Sequence, residues 1–366
     1  MGKAIRVLLA EDSATSRVLL RSLIEMQSDM VVAGEAVNGQ EAVQLVAKLK
    51  PDVVVMDVHM PRLNGVEATK AIMQDTPCPI IIASGRVNTQ EHPLAFAAMQ
   101  AGALKVMAKP AEAKRETITQ VAQEFTDVLR TFAGVKVIRH YSSSRNVSVS
   151  KPPRADKVPS SPREALPVRG ATLPAISSET AIVAIGTSTG GPPALAAIFE
   201  KLPAEFSLPV LVTQHITKGF TDGFATWLDG CTALTVRVAK EGDALRPATV
   251  LVAPDERHLE VTSALRVRLT EEPPYRGQRP SVNRMFQSLA RYAGSRTLAV
   301  VMTGMGDDGA QGAAAVETAG GKVLVQQPST AVVSSMPHEA HNACTDAQAL
   351  TLEEIAAALL TASHRR

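Results

Sequence analysis

The sequence has few cysteines and few aromatic residues, and its charges nearly balance. Cys78, Cys231 and Cys344 are the only cysteines among 366 residues. Because they are scattered, odd in number and without the spacing of metal ligands, we predict free thiols and no zinc site. Aromatic residues amount to 3% and the formal net charge to +2, and basic and aromatic residues do not interleave, so we expect no nucleic acid partner.

Long hydrophobic runs and a targeting segment are also missing. No apolar stretch approaches the roughly 18 residues of a membrane span, and the N-terminus leads directly into an apolar strand pattern that contains Arg6, unlike a signal peptide. We therefore predict a cytoplasmic protein without direct membrane insertion. With 45% hydrophobic and 20% charged residues the composition is that of a globular protein, and the length suffices for two domains.

The hydrophobic pattern divides the chain into two α/β domains and a linker. Short apolar runs alternate with amphipathic helical stretches, which predicts a doubly wound parallel-sheet domain over residues 1–133. Residues 134–178 lose this periodicity and are rich in Ser, Pro, Lys and Arg, so we predict a flexible basic linker. The alternation resumes over residues 179–366 and predicts a second doubly wound domain. The five strands predicted in the first domain cover residues 7–10, 31–33, 53–56, 80–83 and 105–108.

The segment 181–191 is the most informative in the chain. An apolar, β-branched run ends there in the residues GTSTGG, which would lift the Ser188 hydroxyl out of a strand end. A serine nucleophile needs a base and backbone N–H groups that stabilise an oxyanion. Strand patterns also precede His215 and the segment 303–309. Because the carboxyl ends of parallel strands share one edge, we expect the serine, the histidine and an aspartate to converge as a hydrolytic triad.

The aspartate of this triad is not decided by the residues alone. Asp307 and Asp308 are adjacent, their side chains point in different directions, and only one can face His215. The order Ser, His, Asp differs from the orders of the α/β-hydrolases, chymotrypsin and subtilisin, and GTSTGG is not a G-x-S-x-G elbow. The pattern therefore indicates a separate triad lineage.

A different interpretation treats GTSTGG as a loop that binds phosphate at a helix N-terminus, as in a nucleotide-binding domain. The segment lacks the lysine and the glycine spacing of such loops, and this interpretation leaves His215 and the segment 303–309 unexplained. Measurable nucleotide affinity would support it. We assign His258 and His338 structural roles.

Charged and polar side chains follow the strand patterns of the first domain. Glu11 and Asp12 follow the first strand, Asp57 the third, Ser84 the fourth and Lys109 the fifth. Clustered carboxylates repel one another, and Mg²⁺ suits such a pocket because it prefers carboxylates and phosphate. We predict that Asp57 accepts a phosphoryl group, that Lys109 neutralises charge on it, and that Ser84 hydrogen-bonds it. Helix capping alone would explain Asp12 but not the whole set.

With Asp57-Val58-His59-Met60-Pro61 and Lys109-Pro110, this pattern resembles a response-regulator receiver domain, which has a flavodoxin-like fold. The resemblance implies phosphotransfer from a histidine kinase to Asp57, with Mg²⁺ held by Asp12, Asp57 and the backbone carbonyl of His59, and with Glu11 assisting. Two residues depart from the family. His59 stands where this subgroup usually has Glu, which alters the electrostatics of the metal site, and Val106 replaces the aromatic residue of the usual rotamer switch.

Residues 179–366 resemble the Rossmann-like catalytic domain of the chemotaxis protein-glutamate methylesterases. The resemblance rests on residues 185–191, 213–215, 279–282 and 303–309. It implies that Ser188 is the nucleophile, that His215 is the general base and then acid, and that Asp308 is the orienting carboxylate. It also implies an oxyanion hole formed by the backbone N–H groups of Thr189 and Met305. The departures remove no member of the triad: they are Gln278, Asn283 and Asp307.

The combined resemblance implies a phosphorylation-gated serine esterase. Its substrates would be glutamate methyl esters on the cytoplasmic helices of chemoreceptors, with receptor glutamines as further substrates, and the esterase chemistry would need no cofactor. We expect a monomer that receives its phosphoryl group from a histidine kinase. The alternative is a non-catalytic module that docks on receptors or serves as a phosphate sink, and it predicts that Ser188→Ala leaves function intact.

Overall fold

The structure, a computed structural model, describes residues 3–84, 92–110, 118–135 and 179–364. Within these ranges the chain forms two parallel sheets flanked by helices, which confirms the predicted fold class. The predicted linker, 134–178, lies outside the described residues except for Gly134 and Val135. None of the described helices combines the length and the apolar character that crossing a membrane requires.

The N-terminal domain, residues 3–135, is built on a five-stranded parallel sheet of order β2-β1-β3-β4-β5. All five predicted strands are present, and the order reverses between β1 and β3. The strands are β1 (Ile5–Ala10), β2 (Met30–Ala36), β3 (Val53–Asp57), β4 (Ile80–Ser84) and β5 (Lys105–Ala108). The helices are α1 (Ala14–Glu25), α2 (Gly39–Leu49), α3 (Gly65–Asp75), α4 (His92–Gln100) and α5 (Ile118–Phe132).

The C-terminal domain, residues 179–364, contains a seven-stranded sheet of order β14-β13-β12-β6-β7-β9-β8. The chain builds outward from β6 through β7 and then returns to the other side of β6 with β12, so the order reverses between β6 and β12. Its strands are β6 (Ile182–Thr187), β7 (Val210–Gln214), β8 (Thr235–Val238), β9 (Thr249–Val252), β12 (Thr297–Val301), β13 (Lys322–Gln326) and β14 (Gln348–Leu350). Its helices are α6 (Gly191–Phe199), α7 (Thr221–Asp229), α8 (Val282–Tyr292), α9 (Ala310–Thr318), α10 (Ser335–Ala343) and α11 (Leu352–His364).

The central strands of both sheets are buried along their whole length. This holds for β3 and β4 in the first domain and for β6, β7 and β12 in the second. Their sequences are continuous apolar runs and do not alternate with polar residues, because helices cover both faces of each sheet. Only the ends of these strands can expose polar side chains. Polar residues that directly follow the strands therefore lie along the carboxyl edge of each sheet.

A second, antiparallel element stands apart from the seven-stranded sheet. Strands β10 (His258–Val261) and β11 (Val267–Thr270) form a hairpin that the sequence analysis did not predict. The Val261 N–H donates a hydrogen bond to the Ser288 hydroxyl at 3.0 Å, which ties the hairpin to α8. Ser281 caps the start of α8 with its side chain.

The two domains contact each other through α4 of the first and α7 of the second. Phe96 on α4 is fully buried, and its ring centroid lies 5.6 Å from that of Phe224 and 5.6 Å from that of Trp227. The Thr217 hydroxyl donates a hydrogen bond to the Val106 carbonyl of β5 at 3.0 Å. One apolar cluster therefore extends from the first domain into the second.

Candidate functional site

The loops that follow β7, β6 and β12 carry the predicted catalytic residues. Thr187 pairs with Gln214 in the register of β6 and β7, so Ser188 and His215 leave the sheet on neighbouring strands. The Ser188 N–H donates to the Thr303 carbonyl at 3.0 Å, which joins the loop after β6 to the loop after β12. These loops meet where the strand order reverses, as ligand sites do in open α/β sheets.

His215 and Asp308 are in direct contact. Nε2 of His215 lies 2.8 Å from Oδ2 of Asp308, and Nδ1 is buried without a hydrogen-bond partner among the described residues. Because a carboxylate can only accept, Nε2 carries the proton of the neutral ring, and Nδ1 keeps its lone pair. The ring therefore presents Nδ1 as a base, whereas the chymotrypsin template uses Nε2 in that role.

Asp308 lies against the N-terminus of α8, where it is 3% exposed. It accepts hydrogen bonds from the Ser281 hydroxyl at 2.8 Å and from the N–H groups of Val282 at 2.7 Å and Asn283 at 3.0 Å. Burial by itself would raise the pKa of Asp308, but the hydrogen bonds from His215, Asn283 and Ser281 outweigh it and lower that pKa. The side chain is thus held as an oriented carboxylate.

The neighbouring Asp307 does not contact His215. Its side chain is 44% exposed and pairs with Arg276, which belongs to the turn after the β10–β11 hairpin. Of the two aspartates that the sequence left open, the structure places Asp308 beside the histidine.

Thr303 and Gly304 hold the two predicted oxyanion loops close together. The Thr303 hydroxyl donates to the Thr189 carbonyl at 2.8 Å, and the Thr303 N–H donates to the buried Gln326 side chain at 2.8 Å. A Cβ on Gly304 would meet Sδ of Met336 and lie 2.8 Å from Cβ of Ser188, so glycine is needed where this loop passes both side chains. The N–H groups of Thr189 and Met305 have no backbone acceptor among the described residues.

Several residues that support the site were not predicted from the sequence. Gln214 donates from Nε2 to the carbonyls of Ser188 and His215, each at 2.8 Å, and nothing in its position after an apolar run indicates this. Ser281 had a usable signal, because a serine directly before an amphipathic stretch is a typical helix N-cap. His338, which we assigned a structural role, is exposed on α10 and hydrogen-bonded to Asn342.

The predicted acid pocket lies at the carboxyl edge of the first sheet. Glu11 and Asp57 are buried, Asp12 is exposed, and carboxylate oxygens of the three lie within 4.8 Å of one another. Nζ of Lys109 is 2.8 Å from Oδ2 of Asp57 and 3.0 Å from Oε2 of Glu11. Ser84 is fully buried at the end of β4, and its carbonyl accepts the Lys109 N–H at 2.9 Å.

The charges of this pocket favour a divalent cation. Burial raises the pKa of Asp57, against the opposing effects of Lys109 and the His59 backbone. Burial and the nearby Asp57 charge raise the pKa of Glu11. Among the described residues, Lys109 pairs with two of the three clustered carboxylates, so negative charge exceeds positive charge there, and the groups that could bind a metal ion are carboxylate oxygens. This donor set fits Mg²⁺, which prefers carboxylate oxygens together with phosphate.

Comparisons with known proteins identify the family of each domain. Residues 183–359 match the family model for CheB methylesterase, and residues 7–122 match the model for the response regulator receiver domain. The chain is 38% identical over 363 residues to protein-glutamate methylesterase/protein-glutamine glutaminase 2 of Methanospirillum hungatei, covering 99% of each protein. It is 37% identical over 358 residues to protein-glutamate methylesterase/protein-glutamine glutaminase 4 of Myxococcus xanthus, covering 98% of this chain and 97% of that protein.

Among solved structures, the chain is similar to the CheB methylesterase catalytic domain of Thermotoga maritima. The identity is 34% and the TM-score 0.47, and the match covers 50% of this chain and 98% of that one.

Proposed function

This chain belongs to the CheB methylesterase family, and from that membership we propose that it is a serine hydrolase, gated by phosphorylation of its receiver domain, that demethylates glutamate side chains of chemoreceptors. The family makes it an enzyme of the protein-glutamate methylesterase type. The observation that carries the proposed mechanism is the 2.8 Å contact of His215 Nε2 with Asp308, which leaves Nδ1 without a hydrogen-bond partner among the described residues and able to act as a base.

In the proposed first half-reaction, the Ser188 hydroxyl attacks the carbonyl carbon of a glutamate methyl ester while Nδ1 of His215 takes its proton. Asp308 stabilises the imidazolium that forms, as the acid of a catalytic triad does. The N–H groups of Thr189 and Met305 stabilise the oxyanion. The ester C–O bond then breaks, and methanol leaves with the proton from His215.

In the second half-reaction a water molecule attacks the acyl-enzyme, and His215 takes its proton. The bond to Ser188 breaks, the serine recovers a proton from His215, and glutamate is released. A glutamine side chain passes through the same acyl-enzyme, with ammonia as the leaving group in place of methanol. The curated relatives carry both activities in their names.

We propose that the receiver domain accepts a phosphoryl group on Asp57 from a histidine kinase. Bound Mg²⁺, held by Asp12, Asp57 and the His59 carbonyl with Glu11 assisting, would neutralise charge on the phosphoryl oxygens. Nζ of Lys109 already lies 2.8 Å from the Asp57 carboxylate and would form an ion pair with the phosphoryl group attached there. The buried Ser84 hydroxyl would hydrogen-bond a phosphoryl oxygen.

The domain contact supports a gate between the two sites. Val106, whose carbonyl accepts from Thr217, stands three residues before Lys109 on the β5 side of the pocket. Thr217 in turn stands two residues after His215. Val332, which packs against the receiver core, also lies against Gly190, next to Thr189. A phosphoryl group adds roughly −1.5 to −2 charges at pH 7, which is enough to change the packing between the two domains at these hydrogen-bonded and apolar contacts.

The test is methanol release from methyl-labelled chemoreceptor by the full-length protein and its Ser188→Ala and Asp57→Asn variants. Each is assayed with and without Mg²⁺ and acetyl phosphate. Ser188→Ala is expected to lose activity by about 10⁴-fold or more, whereas Ser207→Ala, a control in the same domain that removes a hydrogen bond to Ser363, keeps wild-type activity. Acetyl phosphate should raise the rate of the wild type but not that of Asp57→Asn.

Two results would overturn parts of this proposal. Equal methanol release by the wild type and Ser188→Ala would exclude the serine mechanism and leave receptor docking or nucleotide binding as the function to measure. If the full-length protein releases methanol at the same rate with and without the phosphodonor, phosphorylation does not gate the enzyme.

A further inference from the structure

A chain of buried polar groups leads from the β10–β11 hairpin to the proposed catalytic acid. His258, the first residue of β10, is fully buried. Its Nδ1 accepts the Ser281 N–H at 3.2 Å, and its Nε2 lies 3.2 Å from the Pro273 carbonyl. The Ser281 hydroxyl donates to Oδ1 of Asp308 at 2.8 Å, and Oδ2 of Asp308 contacts His215. These hydrogen bonds therefore form a continuous series from the hairpin to His215, the proposed general base.

These partners define the tautomer of His258. The Pro273 carbonyl can only accept, so Nε2 carries a proton, and the Ser281 N–H can only donate, so Nδ1 does not. The ring is neutral, and both nitrogens have partners although no part of it is exposed. Without the ring, the Ser281 N–H would be a buried donor with no acceptor, which is a costly state for an amide.

We propose that His258 is a positioning residue for the esterase reaction. By accepting the Ser281 N–H, it fixes the first turn of α8 and so the donors that orient the Asp308 carboxylate toward His215. Ser281 transmits this effect, because its N–H contacts His258 while its hydroxyl contacts Asp308. The inference rests on the proposed role of Asp308 as the triad acid.

The proposal also gives the hairpin a function. His258 pairs with Thr270 in the register of the two strands, and Val261 at the other end of β10 donates to Ser288 on α8. The hairpin is thus hydrogen-bonded to α8 at two points, one at the N-cap of the helix and one near its middle. A rotation of the first turn of α8 would move three donors to Asp308 together.

The test compares full-length His258→Leu, His258→Asn and Val267→Ala. Leucine removes both ring nitrogens, whereas asparagine places an amide oxygen near the position of Nδ1. Val267 is fully buried in the same hairpin, and its side chain has no polar atom that could join the hydrogen-bonded series, so it controls for lost stability. We measure kcat and KM for methylated receptor and the urea midpoint of each variant.

We expect His258→Leu to lower kcat about 10- to 100-fold with KM unchanged, because the donors that orient the charged Asp308 carboxylate would be displaced. His258→Asn should retain activity within about threefold, and Val267→Ala should lower the urea midpoint without lowering kcat. The proton that His215 Nε2 shares with Asp308 should shift its resonance in ¹⁵N-histidine-labelled His258→Leu but not in Val267→Ala. In a Ser281→Ala background the His258→Leu substitution should cost less than in the wild type.

An Asp308→Ala variant separates this inference from the mechanism beneath it. If Asp308→Ala is inactive while His258→Leu lowers kcat no more than Val267→Ala, then the positioning role is wrong and the mechanism stands. If Asp308→Ala keeps wild-type activity, the mechanism itself fails, and this inference with it.

Discussion

Replacing Phe96 with leucine is expected to raise the esterase activity of the unphosphorylated protein. Phe96 belongs to the receiver domain, but its ring stacks on Trp227 and tilts against Phe224, both at a centroid distance of 5.6 Å. These two rings belong to α7 of the catalytic domain. The substitution removes both ring contacts and keeps an apolar side chain in the receiver core. It should therefore weaken the contact between the two domains more than it lowers the stability of the receiver domain itself.

The size of the effect follows from the two lost pairs. An aromatic pair contributes about 0.5–1.5 kcal/mol beyond its buried area, so two pairs contribute about 1–3 kcal/mol. At 1.4 kcal/mol per tenfold change, the equilibrium between contacting and separated domains shifts about 5- to 150-fold. The rate without phosphodonor should rise by that factor, up to the rate of the phosphorylated wild type, which the substitution should leave unchanged.

The assay is methanol release from methylated receptor with and without acetyl phosphate, and Phe132→Leu is the matched control. Phe132 is also buried in the receiver domain, but it lies on α5, which packs against α1, and not on α4, which packs against α7 of the catalytic domain. Its loss should leave the rate without phosphodonor at the wild-type value. A folded Phe96→Leu protein with wild-type activity in both conditions would refute the argument that this contact restrains the enzyme.

Three further results are expected. Gly304→Ala should sharply lower methanol release, because the added Cβ would meet Sδ of the buried Met336 and lie 2.8 Å from Cβ of Ser188; circular dichroism checks that the variant folds. Asp307→Asn should keep kcat within about threefold, since a half-exposed ion pair contributes about 0–1 kcal/mol; a loss as large as that of Asp308→Asn would contradict this. The low pKa of Asp308 stabilises the fold above the ordinary Asp pKa, and this stability is lost as the pH falls through the folded value. Urea unfolding across pH 3–6 should therefore show a flatter pH dependence for Asp308→Asn than for the wild type.

The fold could be predicted because the buried strands of a covered parallel sheet are continuous apolar runs. Residues 53–56 and 80–83 are such runs, and they became β3 and β4 with buried residues throughout. The β10–β11 hairpin could not be found this way. Its strands are only four residues each, and His258, Glu260 and Arg268 interrupt the apolar pattern that a strand prediction needs.

The domain contact was outside the reach of sequence reasoning for a different reason. Phe96, Phe224 and Trp227 each follow the pattern of an ordinary core residue, and burial against a neighbouring domain leaves the same apolar signal as burial within one. Val106 was noted only as a missing aromatic. In the structure its backbone carbonyl binds Thr217, and a carbonyl is present whatever the side chain, so no residue pattern could have indicated that contact.

The order of the proposed catalytic groups along the sheet edge explains Gly304, in the loop that follows β12. The strands run β12, β6, β7, so Ser188, directly after β6, lies between the loop after β12 that carries Asp308 and His215, directly after β7. The proposed hydrogen-bond order is instead serine, histidine, aspartate. The loop after β12 must therefore cross above the serine to reach the histidine, and it does so at Gly304, where a Cβ would meet Ser188. The same loop delivers Asp308 to the N-terminus of α8, where the N–H groups of Val282 and Asn283 donate to its carboxylate. The sequence shows the three residues in chain order, but the crossing arises only from the strand order, which is why the choice between Asp307 and Asp308 required the structure.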